Sequence, residues 1–264
     1  MKPAFQPHGQ RLRLLSYNIQ VGISSRSYRD YLGNSWKHVL PSRERSRNLD
    51  NIASAIADYD IVGLQEVDAG SLRSQFINQT EYLAGRAGLP FWRHQTNRDF
   101  GHLAQHSLGL LARYTPYAVE HHALPGILPG RGVMVAYFGT GTSRLAVAVM
   151  HLALGRGTRH KQMAFVAELL RHEPNAVLMG DFNCLPNAPE LRMLQQRSGL
   201  VLPEQELHTF PSWRPNKMID YVLLSPNLRV HHAEALPLAH SDHLPLAMEI
   251  ECPPGLFIKG INTL

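Results

Sequence analysis

Six short apolar runs in this chain each begin or end on a residue capable of chemistry, and that recurrence restricts the available folds more than any other feature. Arg13-Leu14-Leu15-Ser16-Tyr17 leads to Asn18, and Ile61-Val62-Gly63-Leu64 leads to Gln65-Glu66. Leu145 to Met150 leads to His151, and Ala176-Val177-Leu178-Met179 leads to Gly180-Asp181-Phe182-Asn183. Near the end, Asp220 heads Tyr221-Val222-Leu223-Leu224, and Asp242-His243 head the run from Leu244 to Ile250. Runs of this length read as strands buried by a second layer. Between them, Ser42 is placed to cap a helix in which Leu49, Ile52, Ala53 and Ile56 repeat at helical spacing. Met163, Val166, Ala167 and Leu170 repeat likewise after Thr158, and Pro186 to Arg197 is a weaker third helix. Helices among the strands, with none between the last ones, predict two packed sheets with helices outside and the polar strand ends gathered at one rim. The polar stretch Gly22 to Pro41 reads as a loop near that rim or a surface segment.

The bulk numbers are compatible with this. A chain of 264 residues with 44% hydrophobic and 18% charged content has enough apolar material for one large domain, spanning 1–264 with a core of about 11–251. No apolar window approaches the roughly 18 residues of a membrane span, and the first residues lack a signal peptide's apolar core, so a cytoplasmic or peripheral location and a monomer are expected. Cys184 and Cys252 are too few for a disulfide framework. A net charge of +5 points to an anionic partner.

Hydrolysis of a phosphate ester needs neutralised phosphoryl oxygens, an oriented water and help for the leaving oxygen. Mg²⁺ suits the first, being hard and satisfied by one or two protein carboxylates, and Mn²⁺ is the alternative. Glu66 at a strand end is a candidate ligand with Asn18 beside it; alone, it reads more readily as a surface carboxylate. Alternation after Gly180 sends Asp181 and Asn183 to one side and Phe182 to the core, giving a carboxylate and an amide able to hold a water and a phosphate oxygen. The bland reading is an Asx-rich turn. His243 can act at phosphate if a carboxylate orients its ring, and Asp220 is the candidate. His151 alone would be a packed core histidine. The conjunction of these types at strand boundaries outweighs the separate bland readings.

Taken in order, Asn18, Gln65-Glu66, His151-Leu152, Gly180-Asp181-Phe182-Asn183, Ile219-Asp220-Tyr221 and Ser241-Asp242-His243 resemble the endonuclease/exonuclease/phosphatase superfamily from about Leu12 to Ile250. The resemblance implies an α/β (α+β) four-layer sandwich with two central, mostly antiparallel sheets. It also implies a metal held by Asn18 and Glu66 with Asp242 close by, water activation by Asp181, phosphate binding by Asn183, His151 and His243, and orientation of His243 by Asp220. His151-Leu152-Ala153-Leu154 with Arg159 and Gln162, and Thr209 to Ser212 leading into Asp220, are similar to a compact bacterial subgroup. That subgroup often carries Asn in the strand that here reads His106 to Arg113, which leaves the details of substrate contact open.

Ser241, Asp242 and His243 are too close in sequence for a serine triad, and no G-x-S-x-G elbow is present. His240-x-Asp242-His243 is a fragment of a zinc site without H-E-x-x-H. An inactive binding module would have lost core residues, and none is missing. For the substrate, Arg113, Arg159 and Trp213 are candidate contacts. Arg26, Arg29, Lys37, Arg43, Arg45 and Arg47 with Trp36 can track a nucleic-acid backbone, while Arg93 and Arg98 beside Trp92, or Arg214 and Lys217 beside Trp213, equally suit a lipid headgroup. A phosphodiesterase acting on nucleic acid is expected, with a phospholipid diester at a peripheral membrane contact, or a phosphomonoester, as alternatives.

Overall fold

The computed structural model of the chain describes residues 9–23, 43–99, 105–126, 130–140 and 143–259. The apolar run ending at Asn18 is strand β1 (Arg11–Asn18), and the run ending near Glu66 is β2 (Ile61–Asp68). These two are parallel, which requires a crossover, and helix α1 (Arg43–Ile56) lies in it. The second parallel pair, β7 (Ser143–His151) and β8 (Ala176–Asp181), is joined in the same way by α3 (Arg156–Leu170). Every other pairing between strands is antiparallel. In each parallel pair the carboxyl ends of two strands lie side by side, and this places the chemically capable residues at one rim.

One sheet runs β10-β11-β1-β2-β4-β3, adding β3 (Phe91–Asp99), β4 (Gln105–Ala112), β10 (Arg229–Ala235) and β11 (Leu246–Glu251). The other runs β5-β6-β7-β8-β9, adding β5 (Ala118–Ala123), β6 (Gly132–Thr140) and β9 (Asp220–Leu224). Leu14, Ile61, Leu110, Met134, Val149 and Met179 meet between the sheets. On the outside of the first sheet, Leu49, Ile52 and Ile56 of α1 and Leu83 of α2 (Gln79–Ala87) cover Leu15, Val62 and Leu64. Met163, Val166 and Leu170 of α3 and Leu191 and Leu194 of α4 (Pro189–Ser198) cover Val135, Ala148 and Leu178 of the second. Each such side chain fully withdrawn from water contributes about 1.5–3 kcal/mol, so the expected four-layer α/β sandwich is held by three apolar interfaces.

Helix α1 begins next to Ser42, which lies outside the described residues together with most of the Gly22–Pro41 stretch, Arg26, Arg29, Trp36 and Lys37 among it. Helix α2 is not evident in the sequence pattern; Asn78 caps it by accepting from the Thr80 and Glu81 amides. No helix among the described residues is long and apolar enough to cross a membrane.

Candidate active site

Three of the expected residues fall in one row of the second sheet: His151 is the register partner of Asp181, and Asp181 that of Asp220. The row depends on Gly180, whose φ is +148° and where an added Cβ would lie 1.9 Å from the Met150 carbonyl oxygen. Gly180→Ala therefore destabilises the protein by about 3 kcal/mol or more, read as a lowered urea midpoint; an unchanged midpoint contradicts the packing described. From the first sheet, Asn18 ends β1 beside Gln65. The register of β2 shifts between Leu64 and Val67, and Glu66 in that bulge has φ +56°. A bulge re-aims a side chain, and Glu66 is the one residue of β2 that is not fully buried. The segment Ser241–His243 is fastened by the Ser212 amide on the Asp242 carbonyl (2.7 Å) and the Leu244 amide on the Thr209 carbonyl (2.8 Å).

Asp181 is the hub. One of its carboxylate oxygens accepts from Asn18 Nδ2 (3.2 Å) and lies 3.3 Å from His151 Nε2 and 3.9 Å from His243 Nε2. The other accepts from the Asn183 amide (2.9 Å), which is aligned by the left-handed backbone of Asn183 at φ +53°. The Asn183 side chain donates to the Leu152 carbonyl, and Phe182 enters the core. His243 Nδ1 meets Asp220 Oδ2 at 2.8 Å; Thr209 Oγ1 donates to the same oxygen, and the Phe210 ring lies 4.9 Å from the imidazole.

Electrostatics divide these groups into two kinds. Burial lowers the pKa of His243, but the charge and hydrogen bond of Asp220 outweigh it and hold the ring above its usual range, as an imidazolium. Burial, with the charge of Arg131 second, keeps His151 well below the ordinary histidine value, hence neutral. The Asp181 carboxyl is raised by burial and then by the charge of Asp220. Asp242 is also raised by burial, with Glu66 adding to it.

Two sets of groups could hold a cation. Asp181, Asp220 and His243 offer ligand atoms within 4.8 Å of one another, but one oxygen of Asp220 is already taken by Thr209 and His243. Glu66 is the open donor: its carboxylate is 30% exposed, lies 3.9 Å from His151 Nε2 and adds charge repulsion to both Asp181 and Asp242. Asn18 Oδ1, which accepts from the Gln20 amide at 3.2 Å, adds a neutral oxygen. The crowded carboxylates and the amide oxygen of the second set fit a hard divalent cation.

The remaining expected residues are not brought here. Arg113 follows the far end of β4 and pairs with Asp60, which precedes β2, so it lies at the opposite rim from Glu66. Arg159 is buried in α3, bonded to Glu190 (2.7 Å) and to the Leu154 carbonyl (2.7 Å), so its donors serve the fold rather than a substrate. Arg159→Met leaves the buried Glu190 with only the exposed Arg156, 3.7 Å away, as counter-charge and costs about 1.5–3 kcal/mol in urea unfolding; an unchanged stability contradicts this structural role. Trp213 is half-buried in the turn between Phe210 and Lys217 and lines neither cavity of the site.

Those two cavities meet over Glu66, Arg131, His151 and Leu154. One, of about 540 Å³, extends over Asn97, Arg98 and His106; the other, of about 440 Å³, extends over Leu185, Phe210, Lys217 and His243. Arg131, at their junction, was not anticipated, although it precedes the apolar run Val133–Phe138 much as Asp220 precedes its own.

A rim of carboxylates, amides and histidines on a two-sheet sandwich is the equipment of a metal-dependent phosphoesterase. The chain belongs to the endonuclease/exonuclease/phosphatase family, whose model matches residues 15–243. No curated protein matches it by sequence. Among solved structures it is similar to an endonuclease/exonuclease/phosphatase of Beutenbergia cavernae (TM-score 0.70, 19% identity, 92% of this chain and 72% of that one). It is also similar to the mannosyl-6-phosphatase of Bacteroides thetaiotaomicron (0.66, 19%, 90% and 99%). A third is a humanized TDP2 of D. rerio (0.66, 17%, 91% and 99%). At these identities the likeness is one of fold.

Proposed function

We propose that the enzyme is a Mg²⁺-dependent phosphodiesterase, with Mn²⁺ as the alternative ion and nucleic acid as the favoured substrate. The observation that carries this reading is the pair of cavities on either side of Glu66, Arg131 and His151. A monoester needs room for one organic arm, whereas a diester needs room on both sides of phosphorus. Arg98, Arg131 and Lys217 along this cleft suit a polyanionic strand.

In this reading Glu66 and Asn18 hold the ion, with Asp242 close by. The bound ion supplies neutralisation of charge on the phosphoryl oxygens. Asp181, raised toward neutrality, orients a water and takes its proton as the water oxygen bonds phosphorus and the ester oxygen departs. The Asn183 amide group and the neutral His151 ring donate to phosphate oxygens. His243, held cationic and oriented by Asp220, faces the charge that develops in the transition state.

A phospholipid diester is the second reading, favoured by Leu154 and Leu185, which are 77% and 48% exposed at the mouth of the cleft. Purified protein with Mg²⁺, offered single-stranded DNA, RNA and mixed phospholipid vesicles, is expected to cleave a nucleic acid. Cleavage confined to vesicles would transfer the assignment to lipid, and cleavage of phosphomonoesters alone would refute the diesterase reading.

A further inference from the structure

Resting on the reading of His243 as a cation oriented by Asp220, we propose that Thr209 is a positioning residue for that pair. Its hydroxyl holds the Asp220 carboxylate in the orientation that aims the His243 ring at the phosphate. The catalytic steps described above leave the turn from Thr209 to Ser212 without a task, although it packs against the site at several points.

Asp220 needs such a hold. It is the register partner of Asp181 across β8 and β9, and the two carboxylates repel one another. A carboxylate turns about two side-chain bonds, so a single hydrogen bond to a ring that can itself turn leaves both partners free to move together. A second donor removes that freedom. Thr209 Oγ1 donates to Oδ2 of Asp220, the same oxygen that lies 2.8 Å from His243 Nδ1, and all three side chains are withdrawn from water. A hydrogen bond buried in this way has no solvent to replace it when its donor is lost.

Thr209 is itself tied in place. Its amide donates to the Lys217 carbonyl (3.0 Å), and its carbonyl accepts from the amide of Leu244, the residue after His243 (2.8 Å). A β-branched side chain has few χ1 states, so this fixed backbone aims the hydroxyl. The ring of Phe210 lies 4.9 Å from the imidazole, and Lys217 Nζ lies 5.6 Å from the centre of the same ring. Ser212 completes the turn, its amide donating to the Asp242 carbonyl (2.7 Å) and its hydroxyl to the Ser241 carbonyl (2.6 Å). One turn therefore holds Asp220 by a side chain, the His243 ring by packing and the backbone on both sides of His243 by hydrogen bonds. Thr209 lines neither cavity of the site, so its loss should disturb orientation and not substrate binding.

The test compares Thr209→Val, which keeps the branched shape and removes the hydroxyl, with Thr209→Ser, which keeps the hydroxyl. On bis-(p-nitrophenyl) phosphate with Mg²⁺, Thr209→Val should lower kcat about ten-fold or more with KM within about two-fold of wild type, and Thr209→Ser should keep kcat within about three-fold. The second readout needs no turnover: the His243 Nδ1 proton, observed by NMR in protein labelled with ¹⁵N-histidine and assigned by its loss in His243→Gln. Its resonance is expected to be sharp in wild type and Thr209→Ser, and broadened by exchange in Thr209→Val, where the pair gains freedom. A resonance missing from wild type or still sharp in Thr209→Val, equal impairment of the two variants, or an unchanged kcat for Thr209→Val overturns the proposal. A wild type that does not cleave the diester, with the resonance behaving as expected, would remove the diesterase reading and leave the positioning role of Thr209 standing.

Discussion

Asp181→Ala lowers kcat/KM on a phosphodiester by about three orders of magnitude or more, within the range for loss of a positioned general base. The expectation follows from its place as the hub: Asn18, His151, Asn183 and His243 all approach this one carboxylate. The fold should survive. Removing the carboxylate relieves a buried charge repelled by Asp220, although it leaves Asn18 Nδ2 without its acceptor. Near-wild-type turnover by a folded, uncontaminated variant would remove Asp181 from the chemistry. His243→Ala tests the other side of the site, and its loss should be of similar size because it also leaves Asp220 buried without its counter-charge.

Glu66→Ala is the second large effect, and its signature differs. The variant should need about ten-fold or more Mg²⁺ for half-maximal activity, as expected when a charged ligand is lost, with a lower plateau. Glu66 lies in a β-bulge with a left-handed backbone and commits its carboxylate to no hydrogen bond among the described residues, an arrangement that would cost stability with nothing in return unless the carboxylate served a ligand. An unchanged Mg²⁺ titration curve would place the ion elsewhere, with the cluster of Asp181, Asp220 and His243 as the next candidate.

Much of the frame was legible in the sequence because strands buried on both faces read as unbroken apolar runs, and this includes β9, which ends its sheet but is buried throughout. β1, β2, β7, β8, β9 and β11 were found this way, and the polar residues at their ends do converge. The three exposed edge strands, β3, β5 and β10, were not legible: Arg93-His94-Gln95-Thr96-Asn97-Arg98 and Val230-His231-His232 face solvent and lack the apolar signal. Strand β6 is apolar and has Arg131 just ahead of it, but a lone arginine beside a strand does not mark a site as a carboxylate or histidine at a strand boundary does. Arg113 and Arg159 misled for a common reason. A basic residue near a motif shows that a charge is present but not which carboxylate it faces, and here Asp60 and Glu190 take them.

Hydrolysis of bis-(p-nitrophenyl) phosphate by the purified protein, measured in EDTA and then with added Mg²⁺ or Mn²⁺, tests the metal-dependent diesterase most directly. The expected result is no turnover in EDTA, restoration by either ion and none in the Asp181→Ala protein. Turnover that persists in EDTA, or equal turnover by the Asp181→Ala protein, would contradict it.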